Sequence, residues 1–185
     1  MLDVQLHYMA LTDDVLAGIF GAGLSCYTGV LVGNTTIPAW QEARKWLPVL
    51  FAASSASTVA GILDLFYEGP VAQRITRAFG AAGRCAELAA AQGVVRSASA
   101  VGRVGRPFRI GATSLLWKSA SLMTAASLVL SLLPDRSRRA RRIGGILGVA
   151  GALALRFAVH YIGNASARDA RASFEQQRAS IAGGA

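Results

Sequence analysis

Arg84 and Glu87 stand three residues apart in an Ala-rich stretch, so a helix puts both side chains on one face, where an ion pair can form. A carboxylate held there inside a bundle can relay protons, its proton affinity set by burial and by the cation beside it. The other reading is a static ion pair that fastens this helix to a neighbour. Arg156 and His160 are four apart and stack on one face of a later apolar segment. An imidazole, with an ordinary pKa of about 6.5, can exchange a proton or donate to a ligand carbonyl, and a lone His at a helix end can equally be structural. Arg156, deeper in the same segment, is expected to tie it to the first or the third segment. Tyr27, Asn34, Thr35 and Thr36 form a polar stripe along the first apolar segment. They either line a headgroup pocket or a water file, or make interhelical hydrogen bonds and a helix terminus before Pro38.

No catalytic residue is assigned, because the chain carries no phosphate loop, no catalytic carboxylate pair and no serine elbow with a partner His. Cys26 and Cys85 stand alone in apolar surroundings, which supplies no metal, haem or iron–sulfur ligand set. They read as small packing residues, and no covalently bound cofactor is expected.

The elements that hold these groups follow from the composition. Of 185 residues, 53% are hydrophobic and only 16% are charged, against about a quarter charged in a soluble domain. The charges gather in short clusters between long uncharged runs, the alternation of a chain that crosses a membrane several times. The expected fold is therefore all-α, a polytopic transmembrane helix bundle of about five spans in one domain over residues 1–162. A net charge of +9 and the basic run Arg136-Ser137-Arg138-Arg139-Ala140-Arg141-Arg142 would attract phosphate. That run sits between apolar segments, so anionic headgroups and the positive-inside bias explain it, and no nucleic acid is expected.

From Val15 to Ile37 no residue is charged, and these 23 residues, rising about 1.5 Å each, cover a hydrocarbon core of roughly 30 Å. Thr12-Asp13-Asp14 resembles a helix cap before this segment, after a short, mildly amphipathic stretch with His7 and Tyr8. Gly29 and Gly33 make a GxxxG pair that lets another helix approach closely. Trp40 and Trp46 flank the charged link Gln41-Glu42-Ala43-Arg44-Lys45, where indoles settle at headgroup level. Residues 46–67 form a second span with the small-residue stretch Ala52 to Thr58, closed at the opposite surface by Asp64, Tyr67 and Glu68. The third, 71–96, is the ambiguous one: it either spans, with its Arg84–Glu87 face turned from lipid, or lies at the surface, and spanning is preferred. Residues 110–133 and 143–162 complete the bundle, and 163–185 is a polar surface tail. Met1 to Asp14 has no basic n-region, so insertion would rest on the first span. The basic loops nearly balance, with a small excess beside the C-terminus that places this terminus in the cytoplasm.

The string Tyr27-Thr28-Gly29-Val30-Leu31, followed by Asn34-Thr35-Thr36-Ile37-Pro38-Ala39-Trp40 and Leu47-Pro48-Val49-Leu50-Phe51-Ala52, resembles the NrfD/PsrC family. These are quinone-linked membrane anchor subunits of molybdopterin and iron–sulfur oxidoreductases. Further pieces in the same order are Ala86-Glu87-Leu88-Ala89-Ala90, Leu116-Trp117-Lys118-Ser119-Ala120, Leu155-Arg156-Phe157-Ala158-Val159 and Ala165 to Arg171. The resemblance implies an integral subunit of the inner (plasma) membrane without haem. It passes electrons between the quinone pool and an iron–sulfur ferredoxin-like partner beside a molybdopterin catalytic subunit, coupled in some complexes to proton movement. Quinone or quinol is then the diffusible partner, and Tyr27, Asn34, Glu87 and His160 are the residues expected to line its pocket or a proton path. Arg84, Glu87 and Arg156 are the expected internal ion-pair groups. The family fold has eight or nine helices, so the chain resembles its C-terminal portion. That leaves a split gene working beside a separate N-terminal half, a start that lies further upstream, or a decayed remnant, and it implies poor stability alone, with helices at 15–37 and 46–67 whose small-residue faces lack partners. The family's pocket lies mainly in its N-terminal bundle, so none of its residues is carried over. A small helical-bundle transporter or channel, a non-catalytic scaffold and a non-functional fragment are the alternative readings.

Overall fold

The computed structural model describes residues 2–66, 69–134, 136–172, 174–175 and 178, with side chains described from Leu11 onward. Among the described residues the chain is wholly helical: α1 (Leu2–Gly33), α2 (Pro38–Glu42), α3 (Leu47–Leu63), α4 (Pro70–Ser99), α5 (Arg106–Arg109), α6 (Ala112–Leu132) and α7 (Arg138–Ala167). Prolines set much of this punctuation. Pro38, Pro48, Pro70 and Pro107 each fall in the first turn of a helix, where a missing N–H costs nothing. Pro134 follows the end of α6.

Among the described residues three helices are long and apolar enough to cross a membrane: Leu11–Gly33 within α1, α6 and α7. α3 is apolar but only 17 residues long. α4 has 30 residues but too many charges to qualify by composition. The pairs α1–α3, α3–α4, α3–α7, α4–α6 and α6–α7 run antiparallel, whereas α4 and α7, which meet through Arg84 and Gly148, run parallel. Leu47 and Arg44 meet Gly29 and Gly33, Trp46 and Ala60 of the α3 segment face Gly93 and Gly80 of α4, and Ala120 and Leu130 of α6 face Gly151 and Gly144 of α7. One end of the bundle thus carries α2, α5 and the tail; the other carries the α3–α4 and α6–α7 connections.

The two ends are packed differently. Toward α2 and α5 lies an apolar core of Leu47, Leu50, Phe51, Val94, Phe108, Trp117, Leu155, Val159 and Ile162, with Phe108 edge-on to Trp117 at 5.0 Å between ring centres. Toward the other end the buried positions are Ser54, Ser57 and Gly61 on α3, Gly80 and Gly83 on α4, Thr124 and Ser127 on α6, and Gly145 and Gly148 on α7. A Cβ on Gly145 would stand 2.5 Å from the Gly61 carbonyl oxygen, so the α3 and α7 backbones are in contact there. Small residues bring the helices together and still leave room for one long side chain.

Several expected boundaries move. The first helix does not begin at a Thr12-Asp13-Asp14 cap; it runs unbroken from Leu2. It ends at Gly33 rather than at 37, because Ile37 is extended before Pro38 and the Asn34 amide donates to the Val30 carbonyl at 3.0 Å. The charged link contains α2, whose Trp40 folds onto α7, donating from Nε1 to the Val159 carbonyl at 3.0 Å and covering Gly163. The basic run is not a loop: Arg138 to Arg142 form the first turns of α7, since Ser137 Oγ accepts the Ala140 N–H at 3.1 Å and caps it. The small-residue face of α3 is not left bare, for α4 and α7 cover it, whereas Gly18, Gly21 and Gly23 of α1 have nothing within 4 Å of a Cβ position. The near part of the tail docks on the bundle, Arg103 reaching Asp169 at 3.9 Å and Glu175 at 3.4 Å. Tyr67, Glu68, Asp135, Gln176, Gln177 and the chain after Arg178 lie outside the described residues.

Candidate functional site

The glycine-lined end holds a ladder of charged groups. α4 offers its buried stripe of Gly80, Gly83, Arg84 and Glu87 to α3, α6 and α7. The Arg84 side chain is 0% exposed, and Gly148 of α7 admits it: a Cβ there would stand 3.4 Å from Nη2. Its carboxylate is Asp64, at the C-terminal end of α3, with Nη2 3.6 Å from Oδ2. Arg136, in the α6–α7 connection, reaches the same oxygen at 3.1 Å. Asp64 is 5% exposed and so is no surface terminator, the correction to its sequence reading. Two cations bracket one buried carboxylate.

Glu87 lies one turn further along α4, 2% exposed. The Thr124 hydroxyl of α6 donates to Oε1 at 3.2 Å, and the buried Ser57 of α3 stands beside it. Its second oxygen, Oε2, has no hydrogen-bond partner in the protein, and neither do Nε, Nη1 and Nη2 of Arg84. Arg84 and Glu87 therefore share a buried face, as their spacing implies, but the ion pair of Arg84 is made with Asp64. Buried polar atoms that lack a fixed partner are those able to change partner, and a carboxyl group of that kind can take up and release a proton.

The other expected site residues lie elsewhere. Tyr27 is 56% exposed on α1, and Asn34 is exposed at its end, so neither faces the ladder. Thr35 donates to the Val32 carbonyl at 2.8 Å, which favours the helix-terminus reading of this stripe. His160 is exposed and pairs with Asn164, 3.0 Å from Nε2, while its ring meets Tyr161 edge-on. Arg156 is exposed near the middle of α7 and ties that helix to α3 rather than to the first or third span. It donates to Ser55 Oγ at 3.2 Å and lies 5.4 Å above the Phe51 ring. Sequence reasoning missed Asp64 and Arg136 as partners of Arg84. The two signals available were a lone Asp at the end of an apolar helix and an Arg at the start of the basic run.

Where the ladder meets the surface it opens into a cleft of about 550 Å³, lined by Asp64, Pro70, Gln73, Arg74, Arg77, Pro134, Arg136, Arg138 and Arg141. Among the described residues no group of His, Cys, Asp and Glu could hold a metal ion. Comparison with protein families, with curated proteins and with solved structures returned no match.

Proposed function

We propose that this chain is a membrane subunit, working beside further helices, of a quinone-linked oxidoreductase. It would cross the inner membrane five times, with α3 and α4 as the two spans that apolar length alone does not qualify. The observation that carries the reading is Glu87: a buried carboxyl group at mid-helix, one turn from Arg84, whose ion pair with Asp64 leads to a surface cleft. Charge at such depth is costly by about 2.5–3.5 kcal/mol per residue on insertion scales, and where it persists it marks ion and proton pathways. Electron exchange between a quinol and an iron–sulfur partner releases protons, and Glu87 is the buried carboxyl group placed to accept and release one, beside the fixed charge of Arg84. The ordered sequence pieces resembling quinone-linked anchor subunits support the same reading.

Two uncovered surfaces support a subunit that works beside other helices. Along α1 the residues Ile19, Phe20, Leu24 and Tyr27 are all more than half exposed. Arg156 is exposed at a depth where lipid is a poor neighbour for a guanidinium. Tyr27 and His160 are both exposed, so the quinone would bind between this chain and its partners. A second reading, a small transporter, draws on the same cleft and ladder as a permeation path.

The test is purification of the chain from its native membranes under mild detergent, with three readouts. These are the absorption and paramagnetic signals of an iron–sulfur partner, quenching of tryptophan fluorescence by a quinone analogue, and quinol-driven proton release with Glu87→Gln. The proposal requires the partner signal, saturable quenching and loss of proton release in the variant. Ion flux through liposomes containing the chain alone, with no partner and no quenching, would replace it with the transporter reading.

A further inference from the structure

The surface cleft is lined mainly by arginine side chains. Among its described lining residues are Arg74, Arg77, Arg136, Arg138 and Arg141 against the single carboxylate of Asp64. Five guanidiniums around the one acid among the described lining residues repel one another, and an anion among them lowers that cost. The Arg136 side chain is 9% exposed, yet its Nε has no hydrogen-bond acceptor, and the Nε of Arg141 is buried in the same condition. Such donors cost free energy until an acceptor arrives.

The helices reinforce the demand. Pro70 and Arg138 begin α4 and α7, both 30 residues long, so the cleft lies between two helix N-termini, where backbone amides and the macrodipole favour negative charge. A basic run in the first turn of α7 opposes that macrodipole. The opposition disappears when the arginines are bridged by an anion that also meets the amides. Planar guanidiniums suit phosphate oxygens, which accept two parallel N–H bonds each way. In a bilayer this end of the bundle lies at headgroup level, where phosphates are abundant.

We propose that the cleft between α4 and α7 binds the phosphate group of an anionic phospholipid headgroup or free phosphate, held by Arg74, Arg136 and Arg141. The ligand would close the outer mouth of the buried ladder at Asp64. This inference does not rest on the quinone reading, and its test contains no quinone and no partner protein.

The full chain in detergent is titrated with phosphatidylglycerol, with phosphatidylcholine and with inorganic phosphate. Bound adducts are counted by native mass spectrometry and thermal midpoints are measured in parallel. Arg74→Gln with Arg141→Gln is compared with Arg96→Gln with Arg109→Gln, which removes the same charge at the opposite end of the bundle. The expected result is preference for phosphatidylglycerol over phosphatidylcholine, at least tenfold weaker in the cleft variant and unchanged in the control. Binding of inorganic phosphate with the same loss assigns free phosphate as a ligand; phosphatidylglycerol alone assigns the headgroup. Single Arg74→Gln, at an exposed position, gives the same direction and keeps the test open should the double variant misfold. Equal binding in both double variants, or no preference for any phosphate ligand over phosphatidylcholine, overturns the proposal.

Discussion

The guanidinium of Arg84, buried against α4's neighbours, lies 3.6 Å from the carboxylate of Asp64 at the end of α3, and this contact joins two helices whose packing face is built mostly of small residues. Removing Arg84 leaves two buried carboxylates, Asp64 and Glu87, with Arg136 as their one remaining cation, and an uncompensated buried charge costs about 3–5 kcal/mol. Arg84→Met is therefore expected to lower the thermal midpoint in detergent by many degrees. Arg84→Met combined with Glu87→Gln recovers more than half of the loss, since the buried pair that remains, Asp64 with Arg136 at 3.1 Å, is neutral. A double variant no more stable than the single one would show that Arg84 and Glu87 are not energetically coupled.

Glu87 separates shape from charge. Glu87→Gln keeps an oxygen for the Thr124 hydroxyl, whereas Glu87→Ala leaves that donor unpaired and opens a cavity, for a loss of about 1–3 kcal/mol. The expected order of thermal midpoints is native, then Gln close behind, then Ala well below. Equal loss in both variants would mean that ionisation, not the hydrogen bond and volume, fixes the stability of this site.

Glycines on different helices respond in opposite ways. Gly145→Ala drives a methyl to 2.5 Å from the Gly61 carbonyl and is expected to cost about 1–3 kcal/mol. Gly21→Ala meets nothing within 4 Å and gains helix propensity, so it is neutral or stabilising by about 0.5–1 kcal/mol. Denaturation of both variants under one set of conditions checks the contrast.

Trp40 fixes α2 against the end of α7. Trp40→Phe forfeits the 3.0 Å hydrogen bond to the Val159 carbonyl, with an expected loss of about 1 kcal/mol. Gly163→Ala displaces the indole altogether. It should expose Trp40 to solvent, read as a red shift and easier quenching of the tryptophan emission, and an unchanged spectrum would contradict the packing described here.

The helical class and the positions of the long helices could be read from hydropathy, because apolar length and charge clustering are local properties of the chain. The Gly29–Gly33 pair was legible for the same reason, and a Cβ on Gly29 would stand 2.6 Å from the Leu47 carbonyl. The ladder was only half legible. Arg84 and Glu87 share a face by spacing alone, but Asp64 enters through the antiparallel register of α3 on α4, and Arg136 through the connection between α6 and α7. Register of that kind is decided by glycine contacts spread over four helices. The start of α7 was hidden by charge: a run of arginines reads as a loop, while the Ser137 cap before it is the local signal that this run is helical.

With both carboxyls ionised, Asp64 and Glu87 balance Arg84 and Arg136, so the buried set carries no net charge. A neutral set gives a transmembrane voltage nothing to pull on. One proton added at Glu87 turns it into a net cation, on which the field does work of up to about 2.3 kcal/mol per 100 mV, scaled by the fraction of the drop that lies at that depth. If the bundle spans a membrane as proposed, the pairing of these four side chains would make its proton occupancy respond to the voltage across it.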